Sequence, residues 1–277
     1  MTPAVFARTY AAKYPGELFA RIRADGFSAV QFNLSCAGLA SLPAELPAGI
    51  GASIATGAHE AGVAICALSG TYNMAHPNAE HRRRDRVGFA NVMRAARDMN
   101  VSLVTLCTGS RDAANMWQAH PENSSREAWH ALREELDFAL SIAHEFNLVL
   151  GIEPEPGNVI ANAALARQIL DEVNSARLGI VLDAANLLPP EAQAWQHEIV
   201  AQAADLLGGS LFLVHAKDID ANGVVVPAGK GAVDLPSFVA RMKTAGYDGP
   251  LVGHNFEEAD APGVAAYLSS IIGDRTS

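Results

Sequence analysis

Residues 148–158 read Leu-Val-Leu-Gly-Ile-Glu-Pro-Glu-Pro-Gly-Asn, an apolar run that ends in a glutamate and a proline-rich loop. Short runs of branched apolar residues are typical of buried parallel strands. Glu153 therefore stands where a buried strand meets a loop, and Glu155 shares its side if the extended geometry continues. A proline after each glutamate stiffens the backbone at this point.

The same arrangement recurs along the chain, because each apolar run is followed by an amphipathic stretch of helical length. This alternation predicts parallel strands joined by crossover helices. The predicted strands occupy residues 4–8, 28–34, 63–68, 102–107, 148–153, 179–183, 211–215 and 251–254. The predicted helices occupy residues 15–24, 51–61, 80–99, 125–146, 161–174, 193–207, 234–245 and 263–272.

Eight such units predict an α/β protein with one closed (β/α)8 barrel, a TIM barrel, in which residues 1–277 form a single domain. An open, doubly wound sheet is the alternative. It is disfavoured because no Gly-x-Gly-x-x-Gly motif follows the first strand. Polar residues also gather at the ends of many strands, which is where a barrel builds its active site.

The composition and charge of the chain disfavour some classes of binding partner. The chain is 49% hydrophobic and carries a formal net charge of −10, which is typical of a globular protein and disfavours a nucleic-acid partner. Its three cysteines form no Cys-x-x-Cys pair, which favours reduced thiols. There is no secretory leader and no apolar stretch of membrane-spanning length. We therefore expect a cytoplasmic protein without a membrane partner.

Three further strand ends carry residues that can bind metal. The sixth run, Leu-Gly-Ile-Val-Leu, ends in Asp183, and the seventh ends in His215, which shares a side with Lys217. The eighth ends in His254 or Asn255, of which we favour His254 as the inward residue. A mixed set of carboxylates and imidazoles suits an intermediate divalent metal. Taken singly, Asp183 is also a good helix N-cap, and a histidine like His215 is often part of the core.

Two polar segments remain ambiguous. Residues 227–234, Pro-Ala-Gly-Lys-Gly-Ala-Val-Asp, place Lys230 between two glycines, where it either binds a substrate anion or forms a tight turn before a helix capped by Asp234. Residues 81–86, His-Arg-Arg-Arg-Asp-Arg, are more typical of a solvated helix face than of an anion site.

The ends of strands five to eight resemble the xylose isomerase-like sugar isomerase and epimerase superfamily, and the similarity spans essentially the whole chain. The motifs that carry it are Glu153, Asp183, His215-x-Lys217-Asp218, Gly229-x-Gly231-x-x-Asp234 and Gly-Tyr-Asp-Gly-Pro-Leu at 246–251. Thr-Tyr-Asn-Met at 71–74 is similar to the substrate loop of that superfamily.

The resemblance implies that Glu153, Asp183 and His215 coordinate a divalent metal, commonly Mn²⁺, Mg²⁺, Co²⁺ or Zn²⁺. Two positions depart from the pattern. His254 stands where epimerases of the superfamily usually carry a metal-binding glutamate, although an imidazole can also bind metal or move protons. Asn186 stands where many members have a histidine.

The resulting hypothesis is an isomerase or epimerase of a small sugar, keto sugar or sugar phosphate that acts through an enediolate. Glu153 or Glu155 would remove a proton, and His254 or Lys217 would return it or polarise the carbonyl. We expect the substrate to be a small carbohydrate. The fold is also compatible with a homo-oligomer. The expected substrate-binding residues are Asn73, His76, Trp117, Glu155, Asn158, Asn186 and Lys230.

Three other functions are compatible with such a barrel. An inosose-type dehydratase would expel a hydroxyl from the same enediolate. A sugar-binding barrel without activity is compatible with the changes at His254 and Asn186. A nuclease specific for abasic sites is disfavoured by the acidic charge balance and by the small number of metal-binding residues.

Overall fold

A computed structural model of the chain describes residues 1–12 and 14–273. Eight parallel strands close into a barrel, in which the neighbours around the ring follow chain order and the last strand pairs with the first. The (β/α)8 prediction is therefore confirmed. The barrel strands are β1 Thr2–Phe6, β2 Ala29–Phe32, β3 Ala64–Ser69, β4 Leu103–Cys107, β5 Val149–Glu153, β6 Leu178–Asp183, β7 Leu211–Ala216 and β10 Pro250–Gly253.

Helices surround the barrel. They are α1 Pro15–Ala24, α2 Ile50–Glu60, α3 Ala79–Asp98, α4 Arg126–Phe146, α5 Ala163–Val173, α6 Ala184–Leu187, α7 Gln196–Leu207, α8 Leu235–Thr244 and α9 Ala261–Ile272. Side-chain caps fix several helix starts: for example, Ser125 Oγ accepts a hydrogen bond from the Ala128 amide at the start of α4. In the part of the chain that the structure describes, no helix combines the length and apolar character needed to cross a membrane.

The barrel interior explains where the polar residues lie. A small inner cluster fills its lower part, separate from the larger core between strands and helices; the inner residues are Ala4, Ala29, Ala67, Leu103, Val181, Leu213 and Val252. Because alternate strand residues point the same way, residues two positions further on also point inward. Those successors include Gln31, Thr105, Asp183, His215 and His254, which therefore form a polar layer above the apolar one.

Local boundaries differ from the sequence predictions in several places. The first strand lies at Thr2–Phe6 and not at 4–8, because Thr2 and Pro3 pair with residues of β10 that are distant in sequence. A 3-10 segment, Pro190–Trp195, precedes α7, which begins at Gln196. A short antiparallel ribbon of β8 Asp218–Ile219 and β9 Val225–Val226 follows the seventh barrel strand.

Candidate functional site

Four residues at the carboxyl ends of adjacent strands converge, and all but Asp183, which is buried beneath them, line a cavity. Glu153, Asp183, His215 and His254 each offer one ligand atom, and these atoms all lie within 4.8 Å of one another. The four side chains are buried. Two carboxylates and two imidazoles at this spacing are a chemically suitable donor set for one divalent ion, so the residues present fit such a metal.

Each imidazole is paired with one of the carboxylates. His215 donates from Nδ1 to Glu153 Oε1 over 3.1 Å, and His254 donates from Nε2 to Asp183 Oδ2 over 2.8 Å. Asp183 also accepts a 3.0 Å bond from the Ala185 amide through Oδ1, and so caps α6 as well. The N-cap role and the place in the cluster are thus compatible, since each uses a different oxygen.

The positively charged groups of the cluster lower the pKa values of its two carboxylates. Burial opposes ionisation of Asp183, but the nearby Lys217 ammonium and the hydrogen bond from His254 outweigh it and lower the pKa of Asp183 to about 2. Burial also opposes ionisation of Glu153, whose pKa is nevertheless lowered by the imidazole of His215. The pKa of His254 is lowered, chiefly by burial. The two carboxylates are therefore ionised at neutral pH, as metal ligands must be.

Three neighbouring side chains hold the cluster in position. Asn186 donates from Nδ2 to Glu153 Oε1 over 3.2 Å and to the Pro154 carbonyl over 3.1 Å, and it accepts a hydrogen bond from Lys217 Nζ. That Nζ lies 3.8 Å from Asp183 Oδ2. Gln31 Oε1 lies 2.8 Å from Nε2 of His215; donation from both ring nitrogens requires the imidazolium, and a bound metal would replace the proton on one of them. Supporting contacts of this kind fix the orientation of the side chains that bind the metal directly.

The cluster opens into a cavity of about 690 Å³, within the range of small-molecule sites. Among the wall residues are Phe6, Arg8, Gln31, Thr105, Cys107, Trp117, Glu153, Glu155, His215, Lys217, His254 and Asn255. His254 continues the inward face of Val252, whereas Asn255 is exposed at the rim with a φ of 61°. His254, and not Asn255, therefore lies with Glu153 and Asp183 in the cluster.

Glu155 and Cys107 lie beside the cluster on the wall of the cavity. Burial and the neighbouring Glu153 carboxylate raise the pKa of Glu155 to about 7. Burial raises the pKa of the Cys107 thiol, whose Sγ lies 4.0 Å from Glu153 Oε2. The wall therefore presents a carboxyl group suited to exchanging protons near neutral pH and a thiol that stays protonated.

Five of the seven expected substrate-binding residues do not line this cavity. Asn73 accepts from the Ser110 amide over 3.0 Å, and Asn158 accepts from the Gly109 amide over 2.7 Å, so both are used to hold neighbouring loops. His76 stacks on His81 with 4.0 Å between ring centroids. Lys230 is exposed at the surface. Trp117 and Glu155 do line the cavity, whereas Asn186 is buried behind Glu153.

The loop around Lys230 is occupied by a carboxylate of the protein itself. The Gly229 and Gly231 amides donate to Asp218 Oδ2 over 3.0 and 2.9 Å, and the Val233 amide donates to Oδ1 over 3.1 Å. Amides that would cradle a substrate anion are thus already bonded. Of the two alternatives for residues 227–234, the loop is therefore the tight turn. Asp234 caps α8 by accepting a hydrogen bond from the Ser237 amide.

Several residues of the cavity were not found by the sequence analysis. Gln31, Thr105 and Arg8 line it, and Gln31 contacts His215 directly. Gln31 had a detectable signal, because it is a polar residue between the apolar Val30 and Phe32 of a short strand. Arg8 also had a signal, because it is the last residue of the predicted first strand, 4–8; the structure ends that strand at Phe6 and places Arg8 in the 3-10 turn Ala7–Thr9.

Comparison with known proteins agrees with this architecture. Solved structures of similar fold include 3-keto-D-glucoside 4-epimerase from E. coli (16% identity, TM-score 0.75, covering 97% of this chain and 98% of that one). Another is the IOLI protein with a binding zinc atom (16% identity, TM-score 0.74, 98% of both chains). A third is D-psicose 3-epimerase with D-tagatose from Clostridium cellulolyticum H10 (11% identity, TM-score 0.75, 99% and 100%).

These identities are low, so the structural matches establish the fold alone. A search of curated proteins finds no match. The family itself is shown by a family model. The model described as "Xylose isomerase-like TIM barrel" matches residues 19–271, which is most of the chain. The chain therefore belongs to the xylose isomerase-like TIM barrel family.

Proposed function

We propose that the protein is a divalent-metal-dependent isomerase or epimerase of a small sugar, keto sugar or sugar phosphate. The observation that carries this proposal is the convergence of Glu153, Asp183, His215 and His254 at the base of a cavity of about 690 Å³. Its support is that two of the similar structures are named as sugar epimerases and that another was solved with zinc.

Glu153, Asp183, His215 and His254 would hold the metal. When bound, a divalent ion supplies Lewis acidity that polarises a substrate carbonyl and makes a neighbouring C–H proton easier to remove. The protein's own residues would bind the substrate beside this cluster, and a substrate bound there would displace water from it.

Glu155 is the residue that we assign as proton acceptor. Glu153 already accepts hydrogen bonds from His215 and Asn186, whereas Glu155 faces the cavity next to it. Removal of the proton from the carbon beside the carbonyl would give an enediolate. Lys217, whose pKa is raised by Asp183 and Glu155 against the effect of burial, would remain protonated and stabilise the negative oxygen.

The returning proton determines the product. Delivery to the original carbon from the opposite face inverts that centre, and delivery to the former carbonyl carbon exchanges aldose and ketose. Trp117, which is 52% exposed at the cavity wall, would cover the apolar face of a sugar ring or chain.

Deuterium exchange from solvent tests this proposal. Protein loaded in turn with Mn²⁺, Co²⁺, Zn²⁺ and Mg²⁺ is incubated in D2O with a panel of ketoses, aldoses and their phosphates. We expect deuterium at carbon for at least one substrate, loss of exchange after chelation, and loss in Glu155→Gln. Glu145→Gln, an exposed residue of α4, serves as the matched control. Absence of exchange with every metal and substrate would reject the proposal.

A dehydratase is the second candidate, because the eighth strand ends in His254 where a second carboxylate would serve a two-base epimerase. Glu155 and the Lys217 ammonium then provide a base beside an acid, which β-elimination of a hydroxyl requires. Ultraviolet absorbance of a conjugated enone product would distinguish this reaction, since isomerisation and epimerisation produce no such chromophore.

A further inference from the structure

Arg8 is a cavity residue to which the proposed function gives no role. It follows β1 within the 3-10 turn Ala7–Thr9 and contributes to the wall of the cavity that contains the ligand cluster. The chain just beyond this turn is tied down, because Tyr10 Oη donates to Asp25 Oδ2 over 2.8 Å and the Ala11 amide donates to Glu258 Oε2 over 2.9 Å. The backbone that carries Arg8 is thus fixed at the rim.

Arg8 is exposed at the rim and, among the residues that the structure describes, its guanidinium has no acceptor of its own. Lys217, the other cationic side chain of the wall apart from the two histidines, is engaged with Asp183 and Asn186. Within residues 1–12 and 14–273, no carboxylate or other acceptor lies within hydrogen-bond distance of Arg8. A guanidinium presents several N–H donors in one plane and matches the paired oxygens of a carboxylate or phosphate.

The position of Arg8 separates it from the reacting groups. The eight strands close in chain order, so β1 lies four strands away from β5 in either direction around the barrel. Arg8 therefore stands across the cavity from Glu153 and Glu155. A substrate whose reacting carbons lie beside Glu155 would extend its other end towards the β1 side of the rim.

We propose that Arg8 forms an anion subsite and that the substrate carries a carboxylate or phosphate at the end remote from its reacting carbons. This inference rests on the proposed function, since that function decides which end of the substrate lies at the cluster. It also assigns anion binding to the rim at β1 instead of the Lys230 loop, whose amides are bonded to Asp218.

Matched ligands test the subsite without any turnover. D-fructose, D-fructose 6-phosphate and D-fructuronate share the ketose end and differ only at carbon six; the tagatose series gives a second set. Affinities for metal-loaded protein are measured by calorimetry. We expect one anionic member of a set to bind about 10- to 100-fold more tightly than its neutral partner, the range of a hydrogen bond to a charged group.

Substitutions assign this preference to the residue. In Arg8→Gln we expect the ratio of anionic to neutral affinity to fall to within about threefold of unity, and Arg8→Lys should keep part of it because it keeps the charge. Arg23→Gln, which removes an exposed positive charge on α1 outside the cavity wall, should keep the wild-type ratio. The phosphate and carboxylate members identify which anion is preferred.

The outcomes separate the two proposals. Equal affinity for neutral and anionic members, binding by none of them, or an anionic preference that survives in Arg8→Gln would overturn the subsite. An Arg8-dependent preference without deuterium exchange would support the subsite and reject the isomerase. Exchange on neutral sugars that is as fast as on anionic ones would support the isomerase and reject the subsite.

Discussion

The Nε2–H of His254 donates a 2.8 Å hydrogen bond to Oδ2 of Asp183, although the two residues are 71 positions apart in the chain. The bond joins the ends of β6 and β10, which are separated in the barrel by β7 and by the His215 that it carries. The rings of His215 and His254 lie 4.6 Å apart between centroids. Closure of the barrel therefore assembles the ligand cluster from three neighbouring strands together with Glu153 of β5.

Asp183→Asn should weaken metal binding. The amide keeps the shape but loses the charge that faces His254 and Lys217. We expect affinity for Zn²⁺ or Mn²⁺, measured by calorimetry on metal-free protein, to fall by more than about 100-fold, which exceeds the usual effect of changing a supporting residue. Asp171→Asn, on the exposed side of α5, should leave it unchanged. Equal affinities in the two variants would contradict the cluster as a metal site.

Gln31→Met should weaken metal binding less than loss of a ligand does. The substitution keeps the length of the side chain but removes the oxygen that accepts from His215 Nε2 at 2.8 Å, so the imidazole loses a contact that orients it. A reduction of about 10- to 100-fold is expected. Gln31→Glu restores an acceptor and should recover part of the affinity in the same titration. A fully normal affinity in Gln31→Met would show that Gln31 does not position His215.

Glu135→Ala should destabilise the fold strongly. This carboxylate, whose side chain is 1% exposed, accepts from Tyr72 Oη at 3.0 Å, Arg82 Nε at 2.9 Å and Arg86 Nε at 2.8 Å. Its removal leaves two arginines without their buried partner, and we expect a loss of about 3 to 5 kcal/mol in the free energy of unfolding. Urea denaturation followed by circular dichroism measures it.

The adjacent residue provides the control for this buried ion pair. Glu134 contacts Arg82 at 3.3 Å, but its side chain is 48% exposed. Glu134→Ala should therefore cost less than about 1 kcal/mol, as exposed ion pairs do. If the two variants unfolded at the same urea concentration, the buried network around Glu135 would have no special role in stability.

Gly231→Ala should destabilise the turn that follows the ribbon. A Cβ atom at this position would overlap the Asp218 carboxylate and the Ile219 carbonyl oxygen. Relieving that overlap disturbs the bonds that Asp218 accepts from the loop, and about 1 to 3 kcal/mol of unfolding free energy should be lost. At Gly263 in α9 a Cβ meets nothing within 4 Å, so Gly263→Ala should stabilise by up to about 1 kcal/mol. Thermal and urea unfolding of both variants measures the two changes. Equal stabilities of the two variants would contradict the prediction.

The periodic parts of the chain were predictable because their pattern is local. Each buried strand is a short branched apolar run, and each helix repeats its apolar residues at helical spacing, so the barrel follows from residues close in sequence. The positions of Glu153, Asp183 and His215 at strand ends were readable for the same reason. Loop residues such as Asn73 and Asn158 have no period, so their sequence could not indicate that they turn towards neighbouring loops.

The order of strands and helices and the polar residues at the strand ends can be predicted from the amino-acid sequence, because these features depend on short-range alternation of apolar and polar side chains. Which polar groups meet depends on the folded arrangement of the whole barrel. Gln31 and His215 are 184 positions apart and touch because the closed barrel turns their strands to one interior. Arg8 lines the cavity at the rim, where the chain after β1 is bonded to Asp25 and Glu258. Contacts of this kind depend on long-range closure of the backbone, which no local pattern encodes.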